Sequence, residues 1–401
     1  MEIDTMAYPV KWYSSNMQGA GNLGDTTDGA LTSLLKSILV TGFGTLAINA
    51  LSFDATKGWA VATFTGGHAY LQDSVIQVDG VSPAAYNGEH RVMLATATQV
   101  WFELDGGDPG AAGSGASMTM KVAPLGWTLT HESADGKIAI YRPANISESG
   151  NVSLRIDNTA FSGWAGTSYF GYLAKIQMVE DVVDINNYTL INDARWPATA
   201  RYSDKRWDLI GDSQLFYFLP AYATANYQAL FCFGYIKSVR PGDRYHAITI
   251  NYSSLLADDS NRRWNTTGSF TSYYNFALAF EDTNYRVLAR PYSQLFGTTG
   301  WWLKGFFTRF GTGMSTPNAP DNGFYMSVDP IMILETGSHL RGYLPGIFCP
   351  FGSISAWQRK NFSGLPVLPN KLVRFIHAAY AESSAVGSAT MMGFDLTGPW
   401  R

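Results

Sequence analysis

Cysteine is nearly missing from this chain of 401 residues: there are two, Cys232 and Cys349, far apart and in no C-x-x-C spacing. That excludes a disulfide framework and a cysteine zinc site, and both residues read as free, buried thiols. Charge is scarce too, at 15% against a typical share of roughly 25%. The net charge is -4 and the basic residues are dispersed, the densest groups being short ones such as "SDKRW" and "NRRW". Binding a phosphate backbone needs a basic stripe, so nucleic acid is not expected as a partner. The six histidines show no H-x-H, H-x-x-H or H-E-x-x-H spacing, and no metal is expected. The opening "MEIDTMAYPVKWY" lacks the basic and apolar regions of a signal peptide, which implies synthesis in the cytosol. There is no fixed-period repeat, against propellers and solenoids. One uncharged run, Gln214 to Ile236, reaches the ~20 residues of a membrane span. Pro220, Asn226 and Gln228 break it into two short aromatic segments, which reads as a buried hairpin without membrane insertion.

What the chain has instead is apolar and aromatic residues, 46% and 14% of the total, and 40 glycines. Long charged helix formers are few, so the expected fold class is mainly β. A surface so poor in charge suits burial against other subunits, and a homo-oligomer is expected. Residues 1–44 read as a short N-terminal arm followed by one amphipathic helix. In that helix Leu31, Leu34, Leu35, Ile38 and Leu39 form a single stripe, Thr26 or Thr27 caps the start and Gly42 closes the end. The arm carries Trp12, Tyr13 and Met17 with no periodicity to bury them, so these three are the candidate inter-subunit contacts. Residues 45–142 alternate in short runs joined by turn-formers, as in a small sandwich or barrel, up to a boundary at Pro143. Residues 143–401 continue as a larger β-rich domain, with "KLVRFIHAAYAE" as a second possible helix.

Three motifs suggest chemistry. Gly19, Gly21 and Gly24 spell G-x-G-x-x-G, the spacing of a dinucleotide loop. Such a loop needs a buried strand before it, a helix after it and an acid about twenty residues on. Only the helix is present: "VKWYSSNMQ" is too polar for a central parallel strand and no acid follows the helix until Asp54. No cofactor is expected. "GDSQL" at Gly211 places Ser213 where a serine hydrolase has its nucleophile, but neither late histidine, His339 or His377, follows an Asp by three residues. A tight turn between strands is the better reading. The acidic pairs Glu180-Asp181 and Asp258-Asp259 read as loop acids, although two carboxylates are also what a glycosidase uses. No catalytic residue is assigned, and an enzyme is not expected. The aromatics of "GTTGWWLKGFF" would suit stacking on sugar rings, or a core.

The stretch "KWYSSNMQGAGNLGDTTDGALTSLLKSILVTGFG" resembles the start of a family of tailed-bacteriophage virion proteins, with its S-S-N-M arm, Leu-rich helix and V-T-G-F-G. "VDGVSPAAYNGEHRV" is similar to a small β-domain pattern of phage tail components, and "RGYLPGI" with the terminal "DLTGPWR" to the family's C-terminal end. The likeness is good over about residues 8 to 142, patchy beyond, and poor between about 180 and 330. It implies a structural virion subunit, in the tail or baseplate, made in the host cytoplasm, with other virion proteins as partners and no catalytic residues. The alternatives are a receptor-binding tail protein that holds host surface glycan on its C-terminal region, a head-tail junction or capsid decoration protein, and an enzyme that degrades such glycans.

Overall fold

Short runs of alternating or wholly apolar residues, cut by glycine and polar turns, have one way to satisfy their backbone groups, which is to pair laterally. A computed structural model of the chain describes residues 8–23, 28–146, 150–161, 173–198, 206–221, 228, 230–250, 286–304, 314–335, 339–352, 355–379 and 389–401. Strands take 49% of it and helical turns 6%, so the protein is mainly β, with its strands in four antiparallel sheets.

The first sheet orders seven strands as Phe43–Ala47, Thr119–Val122, Val75–Asp79, Gly88–Ala95, Gln99–Phe102, Trp59–Thr63 and Ala50–Asp54. Its two end strands are one stretch of chain: Ile48 and Asn49 alone separate them, and their amides bond to Met118 and Thr63. The pairing circuit therefore closes on itself and leaves no free edge. Ala60, Ala62, Ile76, Val78, Val92, Val100, Phe102 and Met120, all fully buried, fill it.

The second sheet is a five-stranded meander of Thr128–Glu132, Ile138–Arg142, Ser153–Asp157, Leu173–Glu180 and Thr189–Pro197. Ile138–Arg142 pairs with Ser153–Asp157 through Tyr141↔Leu154, so the boundary read at Pro143 falls inside a sheet; the change of sheet lies earlier, between Val122 and Thr128. The reason is that Pro143 ends a strand without ending the packing, since the apolar positions on both sides of it face one core.

The third sheet has ten strands and starts with the arm. Lys11–Ser14 is its outer strand, paired antiparallel with Trp207–Gly211 and followed by Leu215–Pro220, Phe231–Tyr235, Ala247–Ile250, Arg286–Leu288, Thr299–Lys304, Ile331–Glu335, His339–Leu344 and Lys237–Ser238. Phe231–Tyr235 runs through Ile236 into Lys237–Ser238, so the last seven of these strands also form a closed circuit. Leu215–Pro220 against Phe231–Tyr235 is the buried hairpin expected of the uncharged run. No helix among the described residues is long and apolar enough to cross a membrane. The fourth sheet contains Met326–Ser327, Ile347–Pro350, Ala389–Asp395, Leu368–Ala379 and Lys360–Leu365.

Two readings change. Of "KLVRFIHAAYAE", the part from Lys371 to Ala379 belongs to the long strand Leu368–Ala379, where Val373 to His377 are all buried, and the last three residues lie outside the described residues; with both faces covered, polar alternation vanishes and the run imitates a helix. The N-terminal helix exists as Ala30–Lys36 with a wide turn, Ser37–Thr41, behind it, and its five-residue stripe is buried. Gly29 stands in the left-handed region at φ 84, and the Leu31 amide donates to Asn158 Oδ1 at 2.9 Å. Thr26 and Thr27 lie outside the described residues. Gly42, at φ 70, ends the helical run as expected.

Candidate functional site

The residues singled out from the arm are not surface contacts. Trp12, Tyr13 and Met17 are 4%, 1% and 3% exposed within their own chain. Trp12 donates from Nε1 to Asp73 O at 2.9 Å and lies under the Arg374 guanidinium, 4.1 Å from the ring centre. Tyr13 Oη donates to Ala123 O at 2.9 Å. The arm does dock, but on this same chain, because the free edge of Trp207–Gly211 lies close enough to pair with it. Its serines are held as well: Arg359 Nη2 donates to Ser14 Oγ at 2.6 Å, and Arg359 Nε and Arg374 Nη2 share the buried Asp208 at 2.8 and 2.7 Å.

The other motifs resolve into structure. Gly19 has φ 67, and a Cβ there would meet Gly44 Cα at 2.4 Å, so the glycine-rich loop is a crossing of two chain segments. It borders a cavity of about 500 Å³ beside the helix start, but the strand before it is an antiparallel outer strand. Ser213 sits in the turn between two strands, where Asp212 Oδ1 accepts from the Gln214 and Leu215 amides at 2.8 and 2.7 Å. Arg401 grips the same carboxyl. His377 is buried at 1%. Cys232 and Cys349 are free and buried, and burial pushes the Cys349 thiol up to about 12. Among the described residues no group of three His, Cys, Asp or Glu is placed to hold a metal. Asp258, Asp259 and the side chains of Trp301 and Trp302 lie outside the described residues.

The densest polar construction is one the sequence did not announce, at an end of the closed circuit in the third sheet. Arg341, fully buried, forks onto Asp243 with Nε to Oδ2 at 2.7 Å and Nη2 to Oδ1 at 3.0 Å. Its Nη1 reaches Glu335 Oε2 at 2.8 Å and Arg290 O at 2.9 Å. Burial alone would raise the Asp243 carboxyl, but the hydrogen bonds and charge of Arg341 outweigh that and hold it down at about 2. Arg290 in turn binds the buried Glu180 and lies over the Tyr245 ring at 3.8 Å. Asp243, Glu335 and Glu180 are thus all committed to guanidiniums. Carboxyls so held serve as braces and leave no free general acid or base among themselves.

The braces hold a loop. Glu335 accepts the Tyr292 amide at 2.8 Å, Asp243 accepts Gln294 Nε2 at 3.3 Å, and Arg240 stacks on the Tyr292 ring. Beyond these anchors Leu295 and Phe296 stand 70% and 69% exposed. The same chain segment, Ser238 to His246, lines one of two further cavities, of about 310 and 470 Å³. Ser238, Arg240, Asp243, Arg244 and His246 line the first, and Thr128, Thr130, His131, Arg142, Asn151 and Ser153 the second. Comparison of the whole sequence with protein-family models and with curated proteins finds no match, so what this end of the molecule does is argued from its geometry.

Proposed function

We propose that the protein is a structural subunit of a tailed-phage virion, in the tail or baseplate, which assembles as a symmetric oligomer through the braced loop around Leu295 and Phe296. The observation that carries this is the contrast between that loop's anchors and its tip. Two large apolar side chains, each about two-thirds exposed, are held out by a frame of buried ion pairs. Apolar surface held rigidly in water gains free energy when a neighbour covers it, at about 25 cal/mol per Å², and its rigidity lowers the entropy lost on docking. A closed ring of such contacts leaves none of them exposed. The low charge of the chain and the likeness of its N-terminal third to virion proteins support the same reading.

Size-exclusion chromatography with light scattering tests it. The intact chain is expected to run as a discrete oligomer, and Leu295→Ser with Phe296→Ser to shift it to monomer while the circular dichroism spectrum stays β-rich. An intact chain that stays monomeric up to ~100 μM, above the micromolar range of ordinary specific contacts, would remove the loop as a self-contact. Peptide mass spectrometry of particles of the phage that encodes the chain is then expected to find it in purified virions.

A further inference from the structure

We infer that the two polar cavities beside the brace form one cleft for an acidic oligosaccharide, with a carboxylate-bearing sugar at the arginine end. This goes beyond the assembly reading and uses none of its contact residues. The cavities meet at adjacent residues: Gly150 lines one, Asn151 the other. Gly150 is fixed there, at φ 80 and with a Cβ position only 2.3 Å from Arg244 O, so the turn packs directly on the backbone of the arginine segment.

The lining differs along the cleft. The larger cavity presents Thr128, Thr130, Asn151 and Ser153 with His131 and Arg142, and only Leu129 and Val182 as apolar residues. Hydroxyl and amide groups that both donate and accept suit the hydroxyls of a sugar ring. The smaller cavity is lined by two arginines, Arg244 and Arg240, the second of which also donates to Tyr292 O and lies over its ring. The one acid in its lining, Asp243, is paired with Arg341, which it shares with Glu335, and Asp181 accepts from Asn151 Nδ2 at 2.8 Å. The lining of that cavity therefore sets two arginines against one acid. His246, on its wall and 8% exposed, leaves Nδ1 without a hydrogen-bond partner. Burial keeps this imidazole uncharged at neutral pH, so it adds no charge to the cavity wall.

Volumes of about 310 and 470 Å³ sit at the lower end of the range for small-molecule sites, room for a few rings and no more. A nucleic-acid strand is a poorer fit, because it needs a row of cations along its backbone and the larger cavity has one arginine among neutral groups.

The test is isothermal titration of the full-length chain with tri-galacturonate and with its carboxyl-reduced, neutral counterpart, repeated in Arg244→Ser and Arg142→Ser. The acidic trisaccharide is expected to bind with a Kd between about 10 μM and 1 mM, at least tenfold tighter than the neutral one, and each variant to weaken it fivefold or more. A glycan array of acidic polysaccharides covers the case in which another acidic sugar is preferred. Equal binding of the neutral and acidic forms, no acidic glycan bound at all, or unchanged affinity in both variants would overturn the inference. So would sodium sulfate that binds as well as the trisaccharide does, which would make this a general anion site. Light scattering on the same samples separates the two proposals: lost sugar binding with the oligomer intact bears only on the cleft, and a monomer that still binds sugar bears only on assembly.

Discussion

Arg341 shows how a single residue organises its surroundings. Taking two carboxyls and a guanidinium out of water costs several kcal/mol per ion, and the fork onto Asp243, the bond to Glu335 and the hydrogen bonds that each of the three makes to its surroundings offset that. Arg341→Met leaves two buried carboxyls facing each other, and is expected to lower the unfolding free energy by about 3–5 kcal/mol, measured by urea denaturation at pH 7.5. Arg341→Lys keeps the charge but not the fork and should recover only part of the loss. Acid acts through titration, at His246 beside this cluster and at His377 in the fourth sheet. His246 and His377 are each depressed by burial to about 4, below the ordinary 6.5. A folded pKa below the unfolded one means that the unfolded chain takes the proton first. Stability is therefore complete above pH 6.5 and falls as pH drops toward 4, by on the order of 3 kcal/mol per histidine. Asp243, held at about 2, adds a further loss between about pH 4 and 2. Urea midpoints at pH 7.5, 5.5 and 4.5 should show the first decline, and His377→Gln should flatten it; an unchanged slope would place the titrating group elsewhere. None of this was legible in the sequence. Arg341 could be seen only as the first letter of "RGYLPGI", Glu180 was read as a loop acid, and nothing singled out Asp243 or Glu335, because strand pairing and not sequence spacing brings them together.

At the scale of elements, the arm is the instructive case. Its lack of periodicity was read as a segment that docks on a neighbouring subunit, whereas it pairs within its own chain, and no local pattern says whether the partner is another copy or the next sheet. The answer depends on the unpaired edge of Trp207–Gly211, almost two hundred residues away. Because that edge is filled internally, removing the arm should damage the fold itself. Trp12→Ala takes away a ring packed under Arg374 and leaves the Asp73 carbonyl unpaired. It is expected to cost about 3–5 kcal/mol in chemical denaturation. A chain lacking residues 1–25 should be insoluble or molten, and a synthetic peptide covering residues 8–22 should restore near-ultraviolet dichroism when added in trans. A deleted chain that folds and merely fails to assemble would return the arm to a neighbour. The strand Leu368–Ala379 marks the opposite limit. Leu372, Phe375, Ile376 and Ala379 fall at helical spacing, yet the run pairs on both sides, with Lys360–Leu365 and Ala389–Asp395. Burial of Arg374 and His377 along with the apolar residues removes the strand alternation, and tertiary pairing decides. The short alternating runs before Arg142 were legible because their strands have one wetter face, as in Trp59–Thr63, where buried and half-buried residues alternate.

For the molecule as a whole, composition and alternation were enough for a mainly β fold, but the core joins what the sequence divides. One continuous cluster of buried side chains runs from Val10 through Leu31, Phe102, Ile156 and Phe216 to Trp400, and so includes residues of the arm, the helix, all four sheets and the C-terminal segment. Ion pairs cross the same lines: Lys11 binds Glu89, and Arg359 ties the fourth sheet to Asp208 in the third. Proteins that unfold domain by domain have few contacts at the joints, whereas here every joint lies inside the core. Scanning calorimetry at pH 7.5 is therefore expected to give one transition whose calorimetric and van't Hoff enthalpies agree within about 20% for the monomeric Leu295→Ser, Phe296→Ser variant. Fragments should behave accordingly. A chain starting at residue 144 loses Ile138–Arg142, the strand on which Ser153–Asp157 is paired, and should not fold alone. Residues 28–123 keep the closed seven-strand circuit but expose the Leu31, Leu34 and Leu35 face, and should collapse without fixed packing, seen as dye binding with weak near-ultraviolet dichroism. Two separated heat-absorption peaks, with the first circuit surviving the loss of the rest, would mean that the small barrel is an independent domain and that the shared core is an interface between two folded bodies.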